Sequence, residues 1–281
     1  MAPLTAAAVL LAAVTHAAWN AIAHSIRDRL VAFTLVGGGG AICGAVAAGF
    51  APLPAADAWP YLASSVGIHM AYMYLLTKSF ALGDFGQVYP IARGVAPLAV
   101  TVLAALFVGE VPAPLQTVGV LVASAGLGGA ALWSVRGRRR EDWPAVGAAV
   151  GTGLAIAAYT VVDGVGVRAS GTALGYVAWL LLIQGVLLAC CALAARRAAL
   201  LGQLRPVAGR GLLGGALSMS AYGLVLWAQT RGALAPIAAL RETSIIAGAV
   251  IGAVFFKEQL GRSRVVAALV VVAGIGLMLH A

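Results

Sequence analysis

Two arginines stand where an arginine is costly. Arg93 and Arg241 each fall about six residues inside a long apolar stretch. On insertion scales a guanidinium at the middle of a membrane helix costs roughly 2.5–3.5 kcal/mol. A chain keeps such a group where it faces a polar cavity or a partner. The planar fork of donors matches a carboxylate or a phosphate-like group, so the pair reads as cationic anchors for an anion. The plainer alternative is a side chain that snorkels to the interface or pairs with a local acid. Glu242 adjoins Arg241. Helix neighbours point about 100° apart, so the two do not pair automatically. Glu242 could neutralise an arginine across a cavity or carry a coupling proton; structural pairing is the simpler role.

Prolines flank both arginines: Pro90 and Pro97 around Arg93, and Pro236 before Arg241. Each removes a backbone donor and disturbs a helix. They are therefore candidate hinges, or else tolerated kinks. Tyr72 and Tyr222 share an Ala-Tyr context and are candidates to line a cavity. Tyr74, Tyr159, Trp227 and Gln229 fit an interfacial belt equally well. His16 and His69 fall inside apolar segments, where packing is the simpler role and proton coupling the alternative. Asp84 and Asp163 lie near segment ends and read as water-facing carboxylates. Glu110 and Glu258 read as turn, cap or gate residues. Enzymatic patterns are missing: there is no HExxH, GxSxG or GxxxxGK[ST]. That argues against an intramembrane enzyme and against an ATP-driven pump acting alone. No spacing calls for a metal or cofactor, and Cys43, Cys190 and Cys191 read as small core residues.

The elements that must hold these groups follow from composition. Of 281 residues 62% are hydrophobic and 10% charged, against about 25% charged in soluble chains. Mean hydropathy is +0.99. So little polar material cannot cover a soluble surface, whereas a bilayer accepts apolar faces. About 20 apolar residues cross the hydrocarbon as a helix, which predicts ten spans, at 4–23, 30–50, 58–77, 87–108, 114–134, 144–163, 173–194, 211–230, 234–256 and 263–280. Residues 1–18 lack the basic start of a signal peptide, so they are kept as part of the first span. Net charge is +9. Those charges lie between apolar runs, as membrane topology requires, and do not suggest nucleic-acid binding. The odd-numbered connections hold 14 Lys and Arg and the even-numbered ones 2. This bias puts the odd connections in the cytoplasm and both termini outside.

A shift of 148 residues brings Arg93 onto Arg241, Phe107 onto Phe255, Glu110 onto Glu258 and Ala125-Gly126 onto Ala273-Gly274. The chain thus repeats, as residues 1–135 and 144–281 joined by a basic cytoplasmic connection at 136–143. Five spans per unit make the second unit enter from the opposite face. The fold class expected is an all-α membrane protein of ten helices in two inverted five-helix repeats, with a site near the midplane between them. Its cavity is expected between spans 1, 3, 4 and 6, 8, 9.

An aromatic-Asn pair late in span 1 (His16-Ala17-Ala18-Trp19-Asn20), Tyr89-Pro90-Ile91-Ala92-Arg93-Gly94 opening span 4, and a Glu before the last span of each half followed by Ala-Gly-x-Gly resemble the drug/metabolite transporter superfamily, EamA type. The resemblance covers nearly the whole chain. It implies a transporter of metabolites or drugs, no enzyme activity, and roles for Trp19, Asn20 and Tyr89 beside the substrate. The expectation is a multi-pass cell-membrane transporter of a small anionic or zwitterionic metabolite, amino-acid-like or an organic acid, acting by alternating access as monomer or homodimer. Coupling protons remain open as a partner. A broad drug exporter is the alternative; a non-transporting scaffold would have no reason to sustain paired intramembrane charges.

Overall fold

In the computed structural model each apolar run becomes a helix, because in hydrocarbon every backbone group must find its partner within the chain. The structure describes residues 1–26, 28–83, 85–134, 143–197, 199–255 and 262–280. The basic connection at 136–142, Asp84 and Glu258 lie outside the described residues. The helices are α1 (Pro3–His24), α2 (Arg29–Ala48), α3 (Trp59–Leu82), α4 (Phe85–Phe107), α5 (Pro114–Ser134), α6 (Trp143–Ala169), α7 (Ala173–Arg196), the short α8 (Ala199–Leu204), α9 (Ala208–Gln229), α10 (Leu234–Arg241), α11 (Ser244–Phe255) and α12 (Arg262–Leu279). Among the described residues there is no strand. Eight stretches are long and apolar enough to cross a bilayer. Of the two other expected spans, α3 is long but carries Ser64, Ser65, His69 and Lys78, and the apolar part of α12, Val265–Leu279, is shorter. Both pack as members of the bundle, α3 on α6 and α12 on α5.

Local chemistry sets the helix starts. The Asp28 side chain accepts from the N–H groups of Leu30 and Val31 and caps α2. Thr172 caps α7 through the N–H of Gly175. Asp28 also receives Arg196 at 2.6 Å, tying the α1–α2 turn to the end of α7. Partial burial pushes the Asp28 carboxyl up. The hydrogen bonds from Arg196, Val31 and Leu30 outweigh that and hold it below the usual carboxylate range. This tether is present at neutral pH and is lost as pH falls through the lowered value.

The halves pack by exchange. α3 lies on α6 as α9 lies on α1, and α4 lies on α6 as α10 and α11 lie on α1. α2 meets its own counterpart α7, and α5 meets α12. These pairings are consistent with the expected inverted repeat. Small residues permit the closest approaches. A Cβ added to Gly215 on α9 would overlap the backbone of Gly39 and Gly40 on α2. Gly215→Ala must therefore push α2 and α9 apart. The expected cost is roughly 1–3 kcal/mol, read as a fall in thermal stability of the purified protein.

Two expected spans differ from the structure. The sixth continues to Ala169 rather than ending at 163, because the turn at Gly171 (φ +68°) stops it only there. The ninth is not one helix: α10 ends at Arg241 and α11 starts at Ser244. Glu242 and Thr243 between them keep their backbone partners through tight three-residue turns, with Glu242 N–H to Ala239 and Ile245 N–H to Glu242.

Candidate substrate site

Mid-bundle lies a cavity of about 130 Å³. It compares with the ~150 Å³ engineered cavity that admits benzene, so it suits a small metabolite. Its polar lining comprises His16 and Trp19 on α1, His69 and Tyr72 on α3, Tyr159 on α6, Gln184 on α7, Ser218 and Tyr222 on α9, and Arg241 at the end of α10. α2 contributes Gly37 and Gly40, and α7 also Gly185 and Leu188. The lining therefore differs from the one expected from sequence. The second and seventh spans border the cavity, Gly37 and Gly185 letting them pack closely and Gly40 leaving room, and the described lining takes no residue from α4.

The two arginines do not share one fate. Arg93 Nε lies 3.0 Å from Glu242 Oε2, both side chains almost wholly buried, and Arg93 Nη2 donates to Ser244 Oγ at 2.5 Å. The Tyr89 ring stands 5.7 Å from the same guanidinium. Arg93 is thus neutralised across the interface between halves. Arg241 is equally buried, at 5% exposure. It lines the cavity, and its Nε has no hydrogen-bond partner. The break after Arg241 turns its side chain and that of Glu242 in different directions, one to the cavity and one to Arg93.

The other predicted residues divide as follows. Trp19, Tyr72 and Tyr222 border the cavity. The Asn20 amide instead donates to the His16 carbonyl of its own helix at 2.8 Å, and the residue is not in the described lining. Pro90 and Pro97 lie within an unbroken α4. Pro97 withholds the donor that would reach the Arg93 carbonyl. Pro236 sits in the first turn of α10, where a helix N–H has no internal partner to lose. The break in this crossing falls at Glu242–Thr243, not at Pro236.

Sequence reasoning missed Asp163. Read as a water-facing residue at a span end, it is fully buried on α6. Tyr176 donates to its Oδ1 at 2.9 Å, and Tyr222 donates to its Oδ2. Close by, the His69 ring stacks on Tyr159 with centroids 4.0 Å apart, its Nδ1 held by Ser65. A longer sixth span would have placed this carboxylate in the membrane interior and singled it out as Arg93 and Arg241 were.

At the bundle end that holds the α4–α5 turn, Arg168 and Glu110 form a second polar cluster. Gly109, at φ +74°, turns the chain so that the Glu110 N–H returns to the Ala104 carbonyl. The Glu110 carboxylate then reaches Arg168 Nη1 at 2.5 Å and accepts from the Leu234 N–H at 2.7 Å, capping α10. Arg168 also donates to the carbonyls of Gln229 and Gly232, both at 2.8 Å. Acid at a helix start and base at a helix end suit the two dipoles. Glu110→Ala is expected to cost about 1–2 kcal/mol as a lost cap, measured by thermal unfolding.

The bundle thus holds a mostly apolar cavity with a few polar groups, a buried arginine among them. Residues 143–280 match the EamA-like transporter family. That match covers 138 of the 281 residues and supports a membrane transporter of the drug/metabolite transporter type. A solved structure, described only as the crystal structure of a protein, matches with a TM-score of 0.69 at 16% identity, covering 98% of this chain and 96% of its own. At that identity the likeness speaks for the fold alone. No curated protein matches this chain.

Proposed function

We propose that this protein is a secondary transporter of a small anionic or zwitterionic metabolite, which it carries by alternating access across the cell membrane. The observation that supports this is Arg241: a buried guanidinium lining the cavity, while its counterpart Arg93 lies 3.0 Å from Glu242 and is not in the described lining. A carboxylate supplies what Arg241 lacks, and the fork binds it through two parallel hydrogen bonds. A guanidinium in the lining repels an organic cation, which disfavours an exporter of cations alone. The Lys and Arg distribution supports both termini outside. The Glu242–Thr243 break supplies a joint beside the site, as discontinuous helices do where transporters bind and move.

The test is a thermal-shift panel of small carboxylates, phosphates, amino acids and lipophilic cations on purified protein, followed by flux of the hits in proteoliposomes. Stabilisation by acids or zwitterions, and their flux, is expected. Stabilisation by lipophilic cations alone would replace this reading with the drug exporter.

A further inference from the structure

The cavity carries a second pole. Asp163 is a fully buried carboxylate that accepts from the phenol hydroxyls of Tyr176 and Tyr222, with Ser65 and His69 also beside it. Among the described residues no lysine or arginine pairs with it, unlike Glu242, Glu110 and Asp28, each of which has an arginine within 3.0 Å. A buried carboxylate without a cation is costly. Arg241 is the converse: among the described residues no carboxylate lies in salt-bridge contact with it, and Glu242 acts on it only at longer range. Between Asp163 and the cavity stand aromatic rings. Tyr222 and Tyr159 lie 6.3 Å apart and Tyr72 and Tyr159 5.7 Å apart, both edge to face, and His69 stacks on Tyr159. All four rings border the cavity that Arg241 lines. Because Tyr222 donates a hydrogen bond to the Asp163 carboxylate, its oxygen lone pairs and ring become more electron-rich on the cavity side.

We infer that Tyr72, Tyr159 and Tyr222, backed by Asp163, form a subsite for an ammonium group, so that the ligand is a zwitterion spanning this subsite and Arg241. Aromatic faces attract ammonium groups, and the buried carboxylate behind them supplies the charge that a single ring lacks. Asp163 acts through Tyr222 and is a positioning residue. The inference rests on the proposed reading of Arg241 as carboxylate anchor, and it adds that an acid without an amino group satisfies only half the site.

Tetramethylammonium chloride tests the subsite without a known substrate. It is titrated against sodium chloride at constant ionic strength, with intrinsic tryptophan fluorescence and thermal stability as readouts. Arg241→Gln removes the repelling cation, so this variant is expected to bind tetramethylammonium about tenfold more tightly than wild type. Adding Asp163→Asn should abolish that binding. Tyr159→Leu, which leaves the Asp163 hydrogen bonds in place, should weaken it about tenfold and serves if the Asp163 variant fails to fold. Acetate provides the separate arm: its effect should vanish with Arg241→Gln and persist with Tyr159→Leu. No tetramethylammonium signal in Arg241→Gln, an equal signal from sodium, or a signal untouched by Asp163→Asn and Tyr159→Leu would overturn the subsite while leaving Arg241 to the acetate arm. An acetate effect indifferent to Arg241→Gln would overturn the anchor instead.

Discussion

Arg241→Gln should weaken binding of the transported acid or zwitterion at least about thirtyfold while leaving the fold intact. Losing one partner of a desolvated, hydrogen-bonded charge pair costs about 2–5 kcal/mol in binding. Here the other partner is the ligand, so the loss falls on affinity. Stability should hold or rise, because the unliganded protein loses a buried group with no match of its own. Arg241→Lys should fall between the two, keeping the charge but not the two-pronged geometry. Isothermal titration with the hits of the thermal-shift panel, beside thermal unfolding of each variant, separates affinity from stability.

Arg93→Ala should do the reverse. It strips Glu242 of its cation inside the bundle and leaves Ser244 without its donor. Breaking a buried pair from one side costs about 3–5 kcal/mol, enough to lower expression and thermal stability sharply. Replacing both partners with apolar residues of similar bulk, as in Arg93→Met with Glu242→Leu, should restore most of the stability, since neither charge is then left alone. Failure of the double variant to recover would mean that the pair does more than hold the halves together. The contrast between the two arginines is one of contact: Glu242 touches Arg93, while Arg241, within its longer electrostatic reach, lines the cavity.

That contrast is written in the repeat itself. With the chain shifted by 148 residues, Arg93 falls on Arg241, but Gly94 falls on Glu242 and Ala96 on Ser244. The matched residues pointed to a repeat and placed both arginines in apolar spans, where both are buried. The mismatches decide which arginine is neutralised, and they are read only once the two spans are seen to face each other. Composition sufficed for the all-α membrane fold, because twenty apolar residues in hydrocarbon have few other ways to satisfy their backbones. It did not suffice for Asp163, whose burial depends on the sixth helix running six residues past the point where hydropathy weakens. Nor did it reveal the break after Arg241, where no proline or glycine marks the turn and Pro236 drew attention to the wrong end of α10. Asn20 shows the opposite error: a polar residue in the right motif spends its amide on its own helix.

The central claim is that Arg241 sets the potential of a cavity reachable from water, and charged thiol reagents measure that potential directly. Ser218 borders the cavity, so Ser218→Cys is introduced after Cys43, Cys190 and Cys191 are replaced by alanine. Its reaction rates with a sulfonate-bearing and a trimethylammonium-bearing methanethiosulfonate are then compared with and without Arg241→Gln. Removing the arginine should slow the sulfonate reagent about tenfold or more while the ammonium reagent keeps or gains speed. Equal rates with and without Arg241, or a cysteine at 218 that neither reagent can reach, would contradict the account.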